Sequence, residues 1–291
     1  MTSTLRFSAA AQPKAVPLTY FLDVDAGCHA AACADFLARV AADFSEMVEH
    51  AIGLMHLQPG QSALDVGCGS GTALARLAAV VGSSGRVAGV DTSQALIDEA
   101  RRRLPPGLVT HLQQGCAEAL PFPDADFDAV RADRVLLFVP DAARAVQEMA
   151  RVVRPGGRVV VTETDFGAGV VDASDPATTH TVLAELSAQF PHPWIGRQLR
   201  ALFQTAGLVE VNVGLQSVVG MNLAEWDRRY GIQDLLHAAV AGGRLSAARS
   251  DAWWDDLVLR DAGGRFLASS TFFTVSACRP RAAVVQARAS A

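Results

Sequence analysis

SALDVGCGSG, running from Ser62 to Gly71, is the stretch of this chain that decides its fold. Its first half is a short apolar run, typical of a buried strand, which Asp65 interrupts near its end. Gly67, Gly69 and Gly71 follow in alternation, and an alanine- and leucine-rich run typical of a helix comes after them. A strand, a tight glycine turn and a helix are how a Rossmann-like sheet presents backbone N–H groups to a nucleotide-type ligand.

The spacing of these glycines distinguishes between kinds of nucleotide site. A dinucleotide site carries G-x-G-x-x-G, whereas here Thr72 stands where the third glycine of that pattern belongs. The acid just before the first glycine would repel a pyrophosphate and attract a cationic ligand. The sequence therefore disfavours a dehydrogenase, although the glycines alone also fit an ordinary strand–helix loop.

The composition of the chain limits the class of protein. Its 291 residues, half of them apolar, are enough for one large α/β domain with insertions, and a net charge of −5 argues against a nucleic-acid partner. The five cysteines are odd in number and show no C-x-x-C spacing, which disfavours a disulfide framework or zinc site and favours a reducing cytoplasm. No apolar run reaches about 18 residues, so we expect no membrane span. The first residues lack a continuous apolar h-region, so we expect no signal peptide.

Strand and helix signals alternate with short connections, which predicts a parallel, doubly wound sheet. One amphipathic helix is predicted from Ala34 to Met55, ahead of the glycine turn, and Ser93 and Asp141 are predicted helix N-caps. Further strands are predicted at Arg86–Val90, Leu108–Leu112, Phe127–Val130, Arg158–Thr162, Leu208–Leu215 and Phe266–Ala277.

The domain prediction is a single domain from 19 to 280, between a disordered segment at 1–18 and a flexible tail at 281–291. Two helical cap insertions, at about 165–193 and 221–262, break the strand–helix rhythm. Both follow late strands of the sheet. We therefore expect them to fold over the edge where the strands end, which is where ligands of such sheets bind.

Four blocks in order make the chain resemble the class I S-adenosylmethionine-dependent methyltransferases: LDVGCGSG, GVD, GCAEALPFPDADFDAV and EMARVVRPGGRVVVTE. The likeness is to the small-molecule enzymes of ubiquinone and menaquinone biosynthesis. It covers about residues 55–165, and WIGRQLRALFQTAGL extends it to about 213. It implies an α/β fold with a Rossmann-like, doubly wound, seven-stranded and mostly parallel sheet, and S-adenosylmethionine as the cofactor.

The resemblance also implies a set of cofactor-binding residues. Asp91, 20 residues after Gly71, matches the acid that holds both ribose hydroxyls, because a carboxylate has two acceptor oxygens. Cys116 stands where relatives carry an acid that receives the adenine amino group, and a thiol is a poor acceptor. The full set is Tyr20, Asp65, Gly67, Cys68, Gly69, Gly71, Asp91, Thr92, Cys116, Ala117, Glu118 and Asp133.

The acceptor side of such a site needs positioning groups and, for some acceptors, a base. We expect His192, His180 or Asp165 to serve as that base, and no compact carboxylate set predicts a metal. Aromatic residues of the two insertions would line a pocket for an aromatic or hydrophobic acceptor: Phe166, Phe190, Trp194, Trp226 and Tyr230.

The functional prediction is methyl transfer from S-adenosylmethionine to the oxygen, nitrogen or carbon of a small molecule. The alternative is an S-adenosylmethionine-binding tailoring enzyme that does not methylate, such as a cyclase, and a non-catalytic binding module is a third possibility. The alanine-, arginine- and valine-rich composition associates the chain with bacterial secondary metabolism. The expected partner is a small molecule rather than nucleic acid or a membrane, and the insertions are candidates for a homodimer contact.

Overall fold

The computed structural model of the chain describes residues 20–21, 23–25, 30–105 and 110–281. The predicted disordered segment at 1–18, and all of the predicted tail except Arg281, lie outside the described residues. The strands are β1 (Ser62–Val66), β2 (Arg86–Asp91), β3 (Thr110–Gln114), β4 (Phe127–Asp133), β5 (Val153–Val171), β6 (Val209–Gly220) and β7 (Ala268–Cys278).

The helices flank these strands and fill the connections between them. They are α1 (Ala30–Asp43), α2 (Ser45–Leu54), α3 (Leu74–Val81), α4 (Gln94–Arg103), α5 (Ala142–Val152), α6 (Pro176–Ser187), α7 (Ile195–Thr205), α8 (Leu223–Tyr230), α9 (Ile232–Ala241) and α10 (Ala247–Ala262). None of the described helices is long and apolar enough to cross a membrane.

The seven strands form one sheet in the order β3-β2-β1-β4-β5-β7-β6. The pairs among β1 to β5 are parallel, whereas β7 is antiparallel to both β5 and β6. The order reverses between β1 and β4, and a doubly wound sheet opens its ligand crevice at such a reversal. The prediction of a seven-stranded, mostly parallel, Rossmann-like sheet is confirmed.

Both faces of the sheet are buried, which is why its central strands are apolar almost throughout. Ala63 and Val87 belong to a core cluster with side chains of α2 and α3. Their neighbours Leu64 and Ala88 belong to a larger cluster that includes side chains of α5 to α10. Successive strand residues point to opposite faces, so this alternation forms two helical layers around one sheet.

The ends of the connecting helices follow the predicted caps. The Ser93 hydroxyl accepts from the backbone N–H of Leu96 at the start of α4. The Asp141 carboxylate accepts from the backbone N–H of Arg144 at the start of α5. Each side chain satisfies an N–H that has no partner within its helix, which confirms both predicted N-caps.

Several predicted elements have different bounds in the structure, and the largest differences are in the first helix and the fifth strand. The predicted helix from Ala34 to Met55 is divided into α1 and α2 by Phe44, whose backbone leaves the helical region at φ −103° and ψ 19°. The fifth strand continues to Val171, beyond its predicted end, because its outer part pairs with β7. The first residues of the predicted insertion at 165–193 are therefore strand rather than cap.

Glu163 on β5 is fully buried in this framework. Its Oε1 accepts hydrogen bonds from the backbone N–H groups of Val135 (2.8 Å) and Leu136 (2.6 Å), which follow β4. Its Oε2 is buried without a partner among the described residues. Burial disfavours the carboxylate and raises the pKa of Glu163 to about 8.

We predict that Glu163→Gln removes a pH dependence of stability. The folded chain keeps a proton on Glu163 that the unfolded chain loses near its ordinary pKa of 4.5. The free energy of unfolding should therefore fall by up to about 1.4 kcal/mol per pH unit as pH rises from about 5 to about 8. The glutamine amide keeps an oxygen that accepts the two backbone hydrogen bonds, and it cannot ionise. The free energy of unfolding of the variant should therefore rise relative to that of the wild type as the pH rises through this window. Urea unfolding at several pH values measures the difference.

The control for this experiment is Glu49→Gln, since Glu49 is exposed on α2. This control should keep the wild-type slope. Parallel curves for the wild type and Glu163→Gln would contradict the prediction, because they would mean that Glu163 titrates alike in the folded and unfolded chains.

Candidate functional site

The turn after β1 is built so that only glycine fits at two of its positions. Gly67 and Gly69 have φ values of +66° and +52°, in the left-handed region that favours glycine. A Cβ on Gly67 would lie 2.3 Å from the side chain of Val135, and one on Gly69 would lie 2.9 Å from that of Leu37. The Leu37 contact shows that α1 packs directly over the turn.

Asp91, the last residue of β2, holds this turn in place. Its Oδ2 accepts from the backbone N–H of Gly69 (2.8 Å), and its Oδ1 accepts from that of Ser93 (2.9 Å). Burial raises the pKa of Asp91 above its usual value, and the two N–H donors oppose that rise. Each carboxylate oxygen has two lone pairs, so each oxygen retains one acceptor site for a ligand.

A cavity of about 550 Å³ opens beside this turn, at the edge of the sheet where β1, β2, β3 and β4 end. It brings together eight of the predicted cofactor-binding residues: Gly67, Gly69, Asp91, Thr92, Cys116, Ala117, Glu118 and Asp133. These residues lie at or just after the ends of four strands, β1 to β4, and are scattered in sequence. The topology of the sheet therefore assembles them at a single edge, as predicted for ligands of this kind of sheet.

Four other predicted cofactor residues do not line the cavity: Tyr20, Asp65, Cys68 and Gly71. Tyr20 packs against a small cluster with Val24 and Leu96, while its neighbour Phe21 lines the cavity instead. Cys68 is buried behind the turn, where its sulfur would lie 2.8 Å from a Cβ on Gly89. All four therefore lie outside the lining of the cavity.

Asp65 is paired with a buried arginine. It lies opposite Arg131 in the register of β1 and β4, and Arg131 Nη1 is 3.2 Å from its Oδ1. Both side chains are buried. Burial raises the pKa of Asp65 to about 6, and the Arg131 charge limits that rise. This ion pair was not foreseen from the sequence, because it requires β1 and β4 to be neighbours.

The three predicted bases lie outside the cavity lining. His180 is exposed on α6, and His192 places its Nε2 3.4 Å from the carbonyl of Pro140. Asp165 is buried, and both of its oxygens accept from the guanidinium of Arg197 at 2.6 and 2.7 Å. Such a bidentate pair engages both oxygens of the carboxylate, away from the cavity.

The other half of the cavity is lined by aromatic side chains and two arginines. Of the predicted pocket aromatics, Phe166, Phe190 and Tyr230 line it, whereas Trp194 is 51% exposed and Trp226 is buried elsewhere. The aromatic and arginine lining that the sequence did not indicate is Phe21, Phe36, Phe44, Phe138, Phe272 and Arg229, while Arg134, next to the predicted Asp133, also lines the cavity. No local motif identifies these residues, since they come from helices and loops that meet only in the folded chain.

A second, larger groove of about 960 Å³ lies at the opposite edge, where the parallel strands begin. The arginines in it are engaged in holding the framework. Arg158 donates to the Leu54 carbonyl, and Arg279 donates to the carbonyls of Arg151 and Val153. Among the described residues, no group of three or more His, Cys, Asp or Glu is placed to hold a metal ion.

Comparison with known proteins supports the family suggested by the fold. Residues 64–161 match the family described as a methyltransferase domain. The chain is 38% identical, over 221 residues, to an uncharacterized 37.1 kDa protein in transposon Tn4556 of Streptomyces fradiae; the match covers 76% of this chain and 63% of that protein. It is 34% identical, over 187 residues, to the demethylmenaquinone methyltransferase of Symbiobacterium thermophilum, covering 55% of this chain and 73% of that enzyme.

Solved structures agree on the fold. The YcgJ protein from Bacillus subtilis superposes with a TM-score of 0.56 at 19% identity, covering 80% of this chain and 99% of that one.

The chain spans about half the length of several other curated relatives, between 46% and 48% of each. Together with the coverage of the Symbiobacterium enzyme, these matches show that the chain belongs to the class I S-adenosylmethionine-dependent methyltransferases.

Proposed function

We propose that this chain transfers a methyl group from S-adenosylmethionine to a small hydrophobic or aromatic molecule. The observation that carries the proposal is the composition of one cavity. Asp91 and the glycine turn line one part of it, and aromatic side chains line the rest. A methyltransferase of this type needs a nucleoside site and an acceptor site in contact, since the two substrates react directly.

The residues of the first part fit the proposed cofactor. The free lone pairs of Asp91 suit a vicinal ribose diol, and the bare Gly67 and Gly69 let a ligand approach the backbone closely. When bound, S-adenosylmethionine supplies a methyl group on a positively charged sulfur that leaves readily. Cys116 lies in this part of the cavity and offers a weak acceptor, so we propose that Asp91 contributes more to cofactor affinity than Cys116 does.

The chain's own contribution to the reaction is positioning and exclusion of water. Phe166 and Phe190 stack with their ring centroids 4.6 Å apart, and Phe138 packs edge-on against Phe190. A flat acceptor can lie against such rings, and their apolar surface keeps water from the reacting atoms. Because the leaving group is already activated, orientation can supply most of the acceleration.

The setting of the reaction is also a proposal. We place it in bacterial secondary metabolism on the strength of the composition alone. A cytoplasmic location and a possible homodimer through the helical insertions remain proposals from the sequence, as does the absence of a nucleic-acid partner.

We predict that Asp91→Asn weakens binding of S-adenosylmethionine and S-adenosylhomocysteine by at least about tenfold, because one charge-assisted hydrogen bond contributes about 1.5–3 kcal/mol. Isothermal titration of both compounds measures the loss. Asp255→Asn is the matched control, since Asp255 is exposed on α10. Wild-type affinity in a folded Asp91→Asn protein would contradict the assignment of Asp91 to the ribose.

Gly69→Ala should also abolish cofactor binding, for a steric reason. The new methyl group would lie 2.9 Å from Leu37 and would disturb the N–H that Asp91 accepts. Gly207→Ala is the control, because Gly207 also has a positive φ (+77°) but a Cβ there meets nothing within 4 Å. Thermal unfolding should show a lower melting temperature in both variants, because both place a Cβ at a positive φ. Titration with S-adenosylmethionine should show lost binding only in Gly69→Ala. Equal binding by the two variants would contradict the role of the turn.

Product analysis separates methyl transfer from the non-methylating alternative. Candidate acceptors are incubated with the chain and S-adenosylmethionine, and products are analysed by mass spectrometry. The proposal expects an acceptor heavier by one CH₂ together with S-adenosylhomocysteine. An acceptor rearranged at constant mass, with the cofactor bound but unchanged, would favour a cyclase-type function instead.

A further inference from the structure

Two arginine side chains in the aromatic part of the cavity each lie against the same phenyl ring, that of Phe44. The guanidinium carbons of Arg134 and Arg229 lie 5.0 Å and 4.7 Å from the centroid of Phe44. All three residues line the cavity. A cation over a ring face is favourable in a site of low water content, so Phe44 helps to hold both charges where water is scarce.

Arg134 is held rigidly. Its backbone is in the left-handed region, at φ +57°, and its N–H donates to the carbonyl of Thr162 (2.8 Å). Its Nε and Nη2 donate to the two oxygens of Asp133 at 2.8 and 3.1 Å. Its Nη1 has no partner among the described residues, and the side chain is 23% exposed. One donor of a fixed cation is therefore available to a ligand.

Arg229 reaches the same place from α8. Its Nη2 donates to Asp43 Oδ2 at 2.5 Å, which ties it to the end of α1. The pairing joins residues that are 186 positions apart. Its guanidinium is thus anchored by α1 while it lines the same cavity as Arg134, so that a ligand in this cavity has two arginine side chains in its wall.

The aromatic part of the cavity offers no effective base. No histidine or lysine is among the described residues that line it. Burial would raise the pKa of Asp133, but Arg134 and Arg131 hold it below its usual range. The Tyr230 hydroxyl accepts from Ser270 Oγ (2.8 Å), and burial raises its pKa, so it stays protonated. An acceptor that must lose a proton would find no group suited to take it.

We propose that the methyl acceptor is an apolar molecule bearing an oxyanion, either a carboxylate or a phenolate, which Arg134 and Arg229 bind. This inference rests on the proposed methyltransferase function and narrows it to transfer to oxygen. A guanidinium suits such a group because it presents parallel donors to a planar anion. The surrounding rings accommodate the apolar body of the acceptor.

The chemistry balances without a base. The oxyanion supplies the electron pair of the new O–CH₃ bond, and the pair of the broken S–CH₃ bond returns to sulfur. An anion and a sulfonium become a neutral ester or ether and a neutral thioether, and no proton is released. A carboxylate can leave one oxygen on a guanidinium while the other attacks, and a phenolate oxygen has lone pairs for both tasks.

Matched anionic and neutral ligands test the proposal on protein loaded with S-adenosylhomocysteine. The carboxylate arm compares 2-naphthoate with 2-naphthamide, and the phenolate arm compares 2,4-dinitro-1-naphtholate with its methyl ether. In the wild type, the anion should bind at least about tenfold more tightly than its neutral partner in one arm, as expected for a charge-assisted pair. The arm with the larger ratio identifies the kind of oxyanion.

Variants assign the preference to the arginines. Arg229→Gln should reduce the ratio to near one, Arg229→Lys should restore part of it, and Arg134→Gln should reduce it as well. Arg265→Gln is the control, since Arg265 is exposed. Circular dichroism and S-adenosylhomocysteine binding show whether each variant is folded. Arg229→Gln, which lies on α8 rather than in the sheet, decides the matter if Arg134→Gln does not fold.

Equal affinity for anion and neutral compound in both arms would overturn the proposal, and so would no binding of any of the four. A preference that survives both glutamine variants would do the same. If Arg134→Gln weakens the binding of S-adenosylhomocysteine but leaves the ratio of anion affinity to neutral-ligand affinity unchanged, Arg134 binds the cofactor rather than the acceptor, and the proposal fails. If the wild type does not bind S-adenosylhomocysteine at all, the proposed methyltransferase function itself fails, which is a distinguishable result.

Discussion

The site depends first on the carboxylate of Asp91. It accepts from the backbone of Gly69 and of Ser93, so it ties the turn after β1 to the start of α4 after β2. A buried carboxylate without donors would be costly, and these two N–H groups offset that cost. The same interaction that closes the turn also directs the remaining acceptor sites of Asp91 into the cavity. Structure and ligand recognition at this edge therefore share one group.

A chain of alternating charges extends from the glycine strand to the cavity. Asp65 pairs with Arg131, Arg131 pairs with Asp133 (3.0 Å), and Asp133 holds Arg134. Removing one member would leave a neighbouring buried charge uncompensated, which is far more destabilising than losing a surface pair. The acid of the glycine motif thus acts at a distance in this chain. Asp65 pairs with Arg131, and Arg131 in turn helps to hold the Asp133 carboxylate at the wall of the cavity.

The sequence predicts those parts of this site whose positions follow from short local motifs. The glycine turn and Asp91 lie at the ends of neighbouring strands, so spacing alone predicts that they meet. Arg131 and Arg229 could not be found in that way. The first needs the register of β1 against β4, and the second needs α8 to reach the end of α1. Neither arrangement has a local signature.

The break at Phe44 explains why the aromatic part of the cavity was harder to predict than the part formed by the glycine turn and Asp91. Helical spacing continues through Phe44, so periodicity predicted one helix, yet the division into α1 and α2 places its ring in the cavity. Tertiary contacts decide that break, since Phe44 packs on Phe272 of β7 and under both arginines. Arg134 is likewise constrained by Thr162 and Asp133 rather than by any ligand. Its guanidinium is therefore ordered by the chain itself, so any ligand that binds it does not have to supply the entropy of fixing it. A strained backbone at a cavity wall is what such preorganisation requires.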